Sequence, residues 1–262
     1  MLNIHLIMTQ SIKQKKTIII AGTGPGDPEL LTVKAQKAIA SADVIVYDAT
    51  QIEHIIDFCQ SKAKRVKINK DKTRNSDTLR KEIIQILADY HKTGKRVVRL
   101  KTGDAFMFGS GAAETELLFE MNLPFSVIPG ITAGMAAAVY GNVRISEKKE
   151  ADTVTFYMAN QKNDQHENLE QIAQLLQSRA TVALYMAENI LPQIRDYLLK
   201  QKLPKHFPVV AVANASLPNQ QVLSTTLADI QSILNKIPKN SSVVFFIGKK
   251  VHSIFAAPNQ SE

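Results

Sequence analysis

The sequence predicts an α/β protein of two domains, and three observations predict it. Short β-branched apolar runs alternate with longer segments whose apolar residues recur at helical spacing, the pattern of strands covered by helices. A Gly-rich turn, Gly22-Thr23-Gly24-Pro25-Gly26-Asp27, stands where the first strand gives way to helix. Over 143–151 the chain becomes charged and loses its hydrophobic period, which marks a linker. The expected organisation is an N-terminal tail over 1–16, a first α/β domain over 17–145 and a second over 146–262.

Residues 17–21 form the first buried strand. Asp27 then reads as an N-cap and Pro28 as the first helical residue, with Leu31, Ala35 and Ala38 on one face. A second strand follows over 44–47. Residues 78–92 carry Leu79, Ile83, Ile86, Leu87 and Tyr90 at helical spacing, stop at Gly94 and lead into a strand over 96–100. A helix over 111–122, a strand over 125–128 and an Ala-rich helix over 132–140 complete a layered domain with a mainly parallel sheet. Beyond the linker, strands are expected over 153–158, 181–185, 209–212 and 243–247, with helices over 167–177 and 191–200.

Composition narrows the class. The chain has 262 residues and is 45% hydrophobic, enough to pack a core in either domain. Its single cysteine, Cys59, excludes an internal disulfide and a cysteine-rich zinc site and suits the cytoplasm. No stretch has the length of a membrane span or the layout of a signal peptide. Thirty-two Lys plus Arg against 24 Asp plus Glu leave a formal charge of +8, which suits a polyanionic partner. The basic residues concentrate at 62–74 and 95–101 without an aromatic-rich stripe, so nucleic acid is not expected.

Two segments can carry chemistry. The 22–27 turn places backbone N–H groups at a helix start, yet it lacks the third small residue of a dinucleotide fingerprint and the Gly-Lys-Ser/Thr of a phosphate loop. It reads equally as a structural turn. The run from Arg99 to Gly111 follows a strand at the end where α/β sheets bind ligands. There Asp104 can accept from ribose hydroxyls or an amino group, and Phe106, Met107 and Phe108 can wall an adenine. The same run also reads as a capped loop with apolar anchors.

Taken together, these segments resemble the tetrapyrrole methylase family, whose opening motif Gly-x-Gly-Pro-Gly-Asp-Pro-Glu-Leu-Leu-Thr occurs at 22–32. The resemblance continues, in the family order, through 42–48, 94–101, 125–133, Tyr185-Met186 and 225–229. The pairing of Tyr47-Asp48 with the Val-Val-Arg-Leu-Lys strand looks most like the uroporphyrinogen-III methylating branch. The resemblance implies two α/β domains with the cofactor between them, a homodimer, and S-adenosylmethionine as methyl donor, with Pro25, Thr102, Gly103, Asp104, Met107, Thr132, Ala133, Met186 and Ala215 at its contact positions. It puts Asp48 at the proton acceptor and Lys70, through the alignment of 68–71, at the proton donor.

Those implications give a concrete expectation: C-methylation of uroporphyrinogen III to precorrin-2, for sirohaem or cobalamin synthesis, with no metal required. Lys70, Lys72, Arg74, Arg99 and Lys101 are expected to draw in the octacarboxylate substrate. Against the branch pattern, Thr102 and Ala105 replace a Gly and a Pro, Ala49 and Ser110 replace arginines, and Ala215 replaces a Gly. The lost arginines keep alternatives open, because lysine does not reproduce their bidentate fork. These alternatives are a methylase of a later precorrin, a non-catalytic homologue, and an rRNA 2'-O-methyltransferase of the same fold, the last disfavoured by Tyr47-Asp48.

Overall fold

The structure, a computed structural model, describes residues 17–69, 75–159 and 165–254. The expected tail over 1–16 and Lys70, Lys72 and Arg74 lie outside the described residues. Backbone contacts divide the chain into two compact units. One comprises Leu31–Gly130 with the strand that precedes Gly24, and the other comprises Ile131 onward with Gly24–Leu30.

The first unit runs β1 (Ile18–Gly22), α1 (Val33–Ser41), β2 (Val44–Tyr47), α2 (Glu53–Phe58), β3 (Lys64–Lys67), α3 (Ser76–Lys92), β4 (Val97–Lys101), α4 (Gly111–Glu120) and β5 (Phe125–Ile128). Its five strands are all parallel, in the order β3-β2-β4-β1-β5. Strand alternation divides the core between the two faces. Ile45, Val98 and Leu100 pack with Ile39, Ile52 and Ile56 on one face, and Ile18, Ile20 and Val44 pack with Ile84 and Leu87 on the other. The first helix starts later than expected. Asp27 accepts the Glu29 N–H at 2.9 Å and supports only a 3-10 turn over Pro28–Leu30, whereas Thr32 caps α1 by accepting the Ala35 N–H at 3.1 Å.

The second unit contains α5 (Ala133–Tyr140), β6 (Val143–Arg144), β7 (Val154–Met158), α6 (Gln165–Gln177), β8 (Thr181–Tyr185), α7 (Leu191–Lys200), β9 (Pro208–Ala213), β10 (Gln221–Thr226), α8 (Ile230–Leu234), β11 (Val243–Ile247) and β12 (His252–Ser253). Its sheet has the order β10-β9-β11-β8-β7. Only β7 and β8 pair in parallel, and the other pairs are antiparallel. Leu184, Ala211 and Phe245 face a core filled by Ile172, Ile194, Leu198 and Ile230.

The units divide between Gly130 and Ile131 rather than near 145, so α5 and β6 belong with the second sheet. The small residues of α5 explain that placement. A Cβ built on Gly134 would lie 2.3 Å from Tyr185 Oη, and one on Gly141 would lie 2.6 Å from Val212 Cγ2, so the helix approaches the sheet more closely than larger residues allow.

Candidate active site

At the carboxyl ends of β1, β4 and β5, three backbone turns of the first unit touch. A Cβ on Gly22 would come within 2.6 Å of Gly103 O and 2.7 Å of Gly130 N, so the close approach of these chains requires glycine. Gly103 itself adopts a left-handed conformation with φ 64°. Asp104 fixes the assembly. Its Oδ1 accepts the N–H groups of Phe106 and Met107 at 2.9 and 3.1 Å, and its Oδ2 accepts that of Gly130 at 3.0 Å. A carboxylate has about four acceptor positions, so three are committed to shaping the loop. This is the capped-loop geometry, and it leaves Phe106 and Met107 exposed.

Behind that rim lies a buried ionic cluster. Arg99 and Lys101 alternate with Val98 and Leu100 along β4 and therefore share one face of the sheet. Arg99 Nη2 donates to Asp48 Oδ2 at 2.6 Å and to Glu114 Oε1 at 3.3 Å, while its Nε donates to Glu114 Oε2 at 3.1 Å. Lys101 Nζ donates to Glu114 Oε1 at 2.8 Å and to Ser110 Oγ at 2.6 Å, and Ser110 Oγ donates to Glu114 Oε1 at 2.7 Å. The side chains of Arg99 and Glu114 are 0% exposed, Asp48 4% and Lys101 7%.

Two positive and two negative groups thus neutralise one another out of water. Burial opposes charge on Glu114, but Arg99 and Lys101 outweigh it and hold this carboxyl below the ordinary glutamate range. Burial likewise opposes charge on Arg99, and Glu114 with Asp48 outweighs it, leaving the guanidinium above its ordinary value. For Lys101 burial prevails, reinforced by the Arg99 charge, and the ammonium falls below the ordinary lysine value. Arg99 and Lys101 are therefore internal counter-ions, not the substrate-steering surface expected of them.

The other positions expected to contact the cofactor, Pro25, Thr132, Ala133, Met186 and Ala215, belong to the second unit. The Pro25 turn meets the turn that carries Ala215: the Asp27 N–H donates to Ser216 Oγ at 3.3 Å, and a Cβ on Gly26 would reach 2.8 Å from Leu217 Cδ2. Asn214 and Ser216, on either side of the buried Ala215, are both left-handed, with φ 50° and 70°. Thr132 and Ala133 open α5 beside the end of β8. There Tyr185 Oη accepts the Gly134 N–H at 2.6 Å and lies 2.9 Å from Thr132 Oγ1. Burial pushes the Tyr185 phenol above its ordinary value, against the pull of these two hydrogen bonds. The next residue, Met186, has φ 55° and is 54% exposed.

The structure thus brings Asp48 into one cluster with Arg99, gathers Thr102, Gly103, Asp104 and Met107 in a single loop, and sets Pro25 near Ala215 and Thr132-Ala133 near Tyr185-Met186. Lys70 lies outside the described residues. Glu114 is the residue the sequence reading missed. Its signal was present: two cations at alternate positions of a fully buried strand require carboxylates opposite them.

Residues 17–231 match the tetrapyrrole (corrin/porphyrin) methylases as a family. The chain belongs to that family. Among tetrapyrrole methylases, it is 37% identical over 234 residues to the siroheme synthase of Psychrobacter arcticus, a match covering 89% of this chain and 42% of that protein. The siroheme synthase of Actinobacillus pleuropneumoniae serotype 7 is 36% identical over 227 residues, or 87% of this chain and 46% of its own length. The chain therefore spans about half the length of the curated relatives it matches. Of solved structures, a cobalt precorrin-4 methyltransferase superposes with TM-score 0.77 at 26% identity, covering 89% of this chain and 95% of the other. The uroporphyrin-III C-methyltransferase of Thermus thermophilus, in complex with S-adenyl homocysteine, gives TM-score 0.72 at 23% identity and covers 89% and 97%, a likeness of fold.

Proposed function

We propose that the chain transfers methyl groups from S-adenosylmethionine to carbon atoms of uroporphyrinogen III, producing precorrin-2 for sirohaem or cobalamin synthesis. The observation that carries this reading is the match to siroheme synthases over almost the whole described chain. The residues fit the donor. A sulfonium nucleoside needs apolar surface beside polar backbone, and exposed Met107 and Met186 lie next to the Asp104 loop and the Tyr185–Thr132 contact respectively. In this reading Pro25, Thr102, Gly103, Asp104, Met107, Thr132, Ala133, Met186 and Ala215 hold S-adenosylmethionine.

When bound, S-adenosylmethionine supplies a methyl group: an electron-rich acceptor carbon forms the new C–C bond, the S–C bond breaks with its electron pair going to sulfur, and the cationic ring system so formed then loses a proton from another of its atoms. Asp48 accepts the proton. Arg99 holds the accepting carboxylate in one orientation, and positioning of this kind removes entropy from the barrier. Lys70 completes the reading as proton donor. The chain works in the cytoplasm as a homodimer, a reading supported by the exposed Met135, Val139 and Tyr140 of α5 and by the free Cys59. Among the described residues no helix is long and apolar enough to cross a membrane.

Anaerobic incubation with S-adenosylmethionine and uroporphyrinogen III tests the proposal. Mass spectrometry of the oxidised product is expected to count two added methyls, and the absence of methylation beside an active control enzyme rejects this acceptor. A later precorrin is the second reading. It is favoured by Ser110, whose hydroxyl is engaged by Lys101 and Glu114 where the branch carries an arginine.

A further inference from the structure

We propose that Glu114 is a positioning residue for methyl transfer, acting through Arg99 on the Asp48 carboxylate. The inference rests on the reading of Asp48 as proton acceptor and extends it to a residue that nothing in the motif pattern singles out. Glu114 projects from α4 and engages Arg99 with both carboxylate oxygens, at 3.1 Å to Nε and 3.3 Å to Nη2. The same Nη2 donates to Asp48 at 2.6 Å. One nitrogen is therefore shared between the helix carboxylate and the carboxylate that follows β2. A guanidinium is planar and its donors are rigidly spaced, so fixing Nε and Nη2 from one side sets the direction in which Nη2 meets Asp48.

Lys101 and Ser110 hold Glu114 in turn. Both bond Oε1, at 2.8 and 2.7 Å, and they bond each other at 2.6 Å. Glu114 can therefore rotate only by breaking four hydrogen bonds in a site shielded from solvent. The second arm of the Asp48 geometry is the strand register, which sets Val46 opposite Arg99 and so places Asp48 beyond the end of β2, within reach of the guanidinium. A buried pair retained solely for stability would gain as much from apolar groups of the same volume. A relay that ends on a reacting carboxylate has a use for the charges that apolar packing cannot supply.

A double-mutant cycle with S-adenosylmethionine and uroporphyrinogen III tests the relay. Glu114→Gln is expected to lower kcat at least about tenfold while the KM for S-adenosylmethionine stays within about twofold, because the cofactor loop is untouched. In an Asp48→Asn background the same substitution should change kcat less than about twofold, since the carboxylate it orients is gone. Arg99→Lys, which keeps the charge and loses the fork, should reproduce the Glu114→Gln defect. Ser110→Ala supplies a milder version if Glu114→Gln does not fold.

An equal tenfold loss in both backgrounds overturns the relay and leaves Asp48 in place. Normal turnover by Asp48→Asn overturns the reading of Asp48 and the relay with it. An unsubstituted protein that methylates nothing overturns both. A fall in melting temperature with unchanged kcat in Glu114→Gln reduces Glu114 to a structural ion pair and likewise overturns the proposal.

Discussion

The two units anchor their chemistry in opposite ways. In the first, four ionisable side chains meet inside an all-parallel sheet and its covering helices, each necessary to the charge balance of the others. In the second, one neutral phenol ties the start of α5 to the end of β8, with Phe156 packed edge-on at 6.0 Å against the Tyr185 ring. An ionic anchor is rigid but fails when one partner is lost, because the remaining charge is left out of water. A hydroxyl anchor contributes less and fails gently. The difference matches the work proposed for each: holding a carboxylate that receives a proton in one unit, and holding backbone and thioether surfaces against a nucleoside in the other.

Removing the most interdependent charge gives the largest expected effect. Glu114→Ala strands Arg99 and Lys101 and should lower the unfolding free energy by about 3–5 kcal/mol, measured by urea denaturation. A loss below about 1 kcal/mol would mean that the cluster is solvated. Gly22→Ala comes next. The added Cβ meets backbone atoms 2.6 and 2.7 Å away, which no rotamer change relieves, and about 1–3 kcal/mol is expected together with weakened S-adenosylhomocysteine binding in a calorimetric titration.

Tyr185→Phe should be smaller. Removing the hydroxyl leaves the Gly134 N–H without this acceptor, for about 1–1.5 kcal/mol in stability, and S-adenosylhomocysteine affinity should fall because Thr132 and Ala133 lose their tie. Phe156→Leu is the control that sharpens the contrast, because it disturbs the ring packing and keeps the hydroxyl. It should shift the melting temperature and leave the affinity alone. Equal affinity losses in both variants would show that the phenol acts only by packing.

Acidity separates the units further. Glu114 has a folded pKa below its ordinary 4.5, so the stability it contributes is complete above that value and is lost as pH falls through the folded pKa. Urea midpoints measured between ~pH 3 and ~pH 7 should therefore fall on the acid side, and Glu114→Gln should flatten the fall. Tyr185 is neutral throughout that range and should add nothing to it.

Much of this was legible in the sequence because strands covered on both faces are continuous apolar runs, whichever way their neighbours point. Val44–Tyr47, Phe125–Ile128, Thr181–Tyr185 and Val243–Ile247 stand where the apolar runs put them. The edges were harder to read. Strand β3 is Lys-Arg-Val-Lys and β10 is Gln-Val-Leu-Ser-Thr-Thr, and each is an outer strand whose extended form comes from pairing with a neighbour rather than from an apolar run. The start of α1 was misread because Asp27 and Pro28 carry valid N-terminal signals and spend them on a 3-10 turn.

The candidate site followed the same rule. Its loops could be read because their motifs are local, whereas the Asp48–Arg99–Glu114–Lys101 cluster joins β2, β4 and α4 and exists only once the sheet has formed. Basic residues at 95–101 looked like a surface for an anionic substrate. Arg99 and Lys101 are instead consumed internally, and Arg96 is paired with Asp43 at 3.0 Å.

The most direct test of the whole account is a comparison of kcat/KM for uroporphyrinogen III and for a later precorrin, each supplied anaerobically with S-adenosylmethionine at saturating concentration. The account expects uroporphyrinogen III to be preferred by at least about 100-fold, with Asp48→Asn lowering its turnover about 100-fold or more and leaving S-adenosylhomocysteine affinity unchanged. A preference for the later precorrin, or full turnover of uroporphyrinogen III without the Asp48 carboxylate, would contradict it.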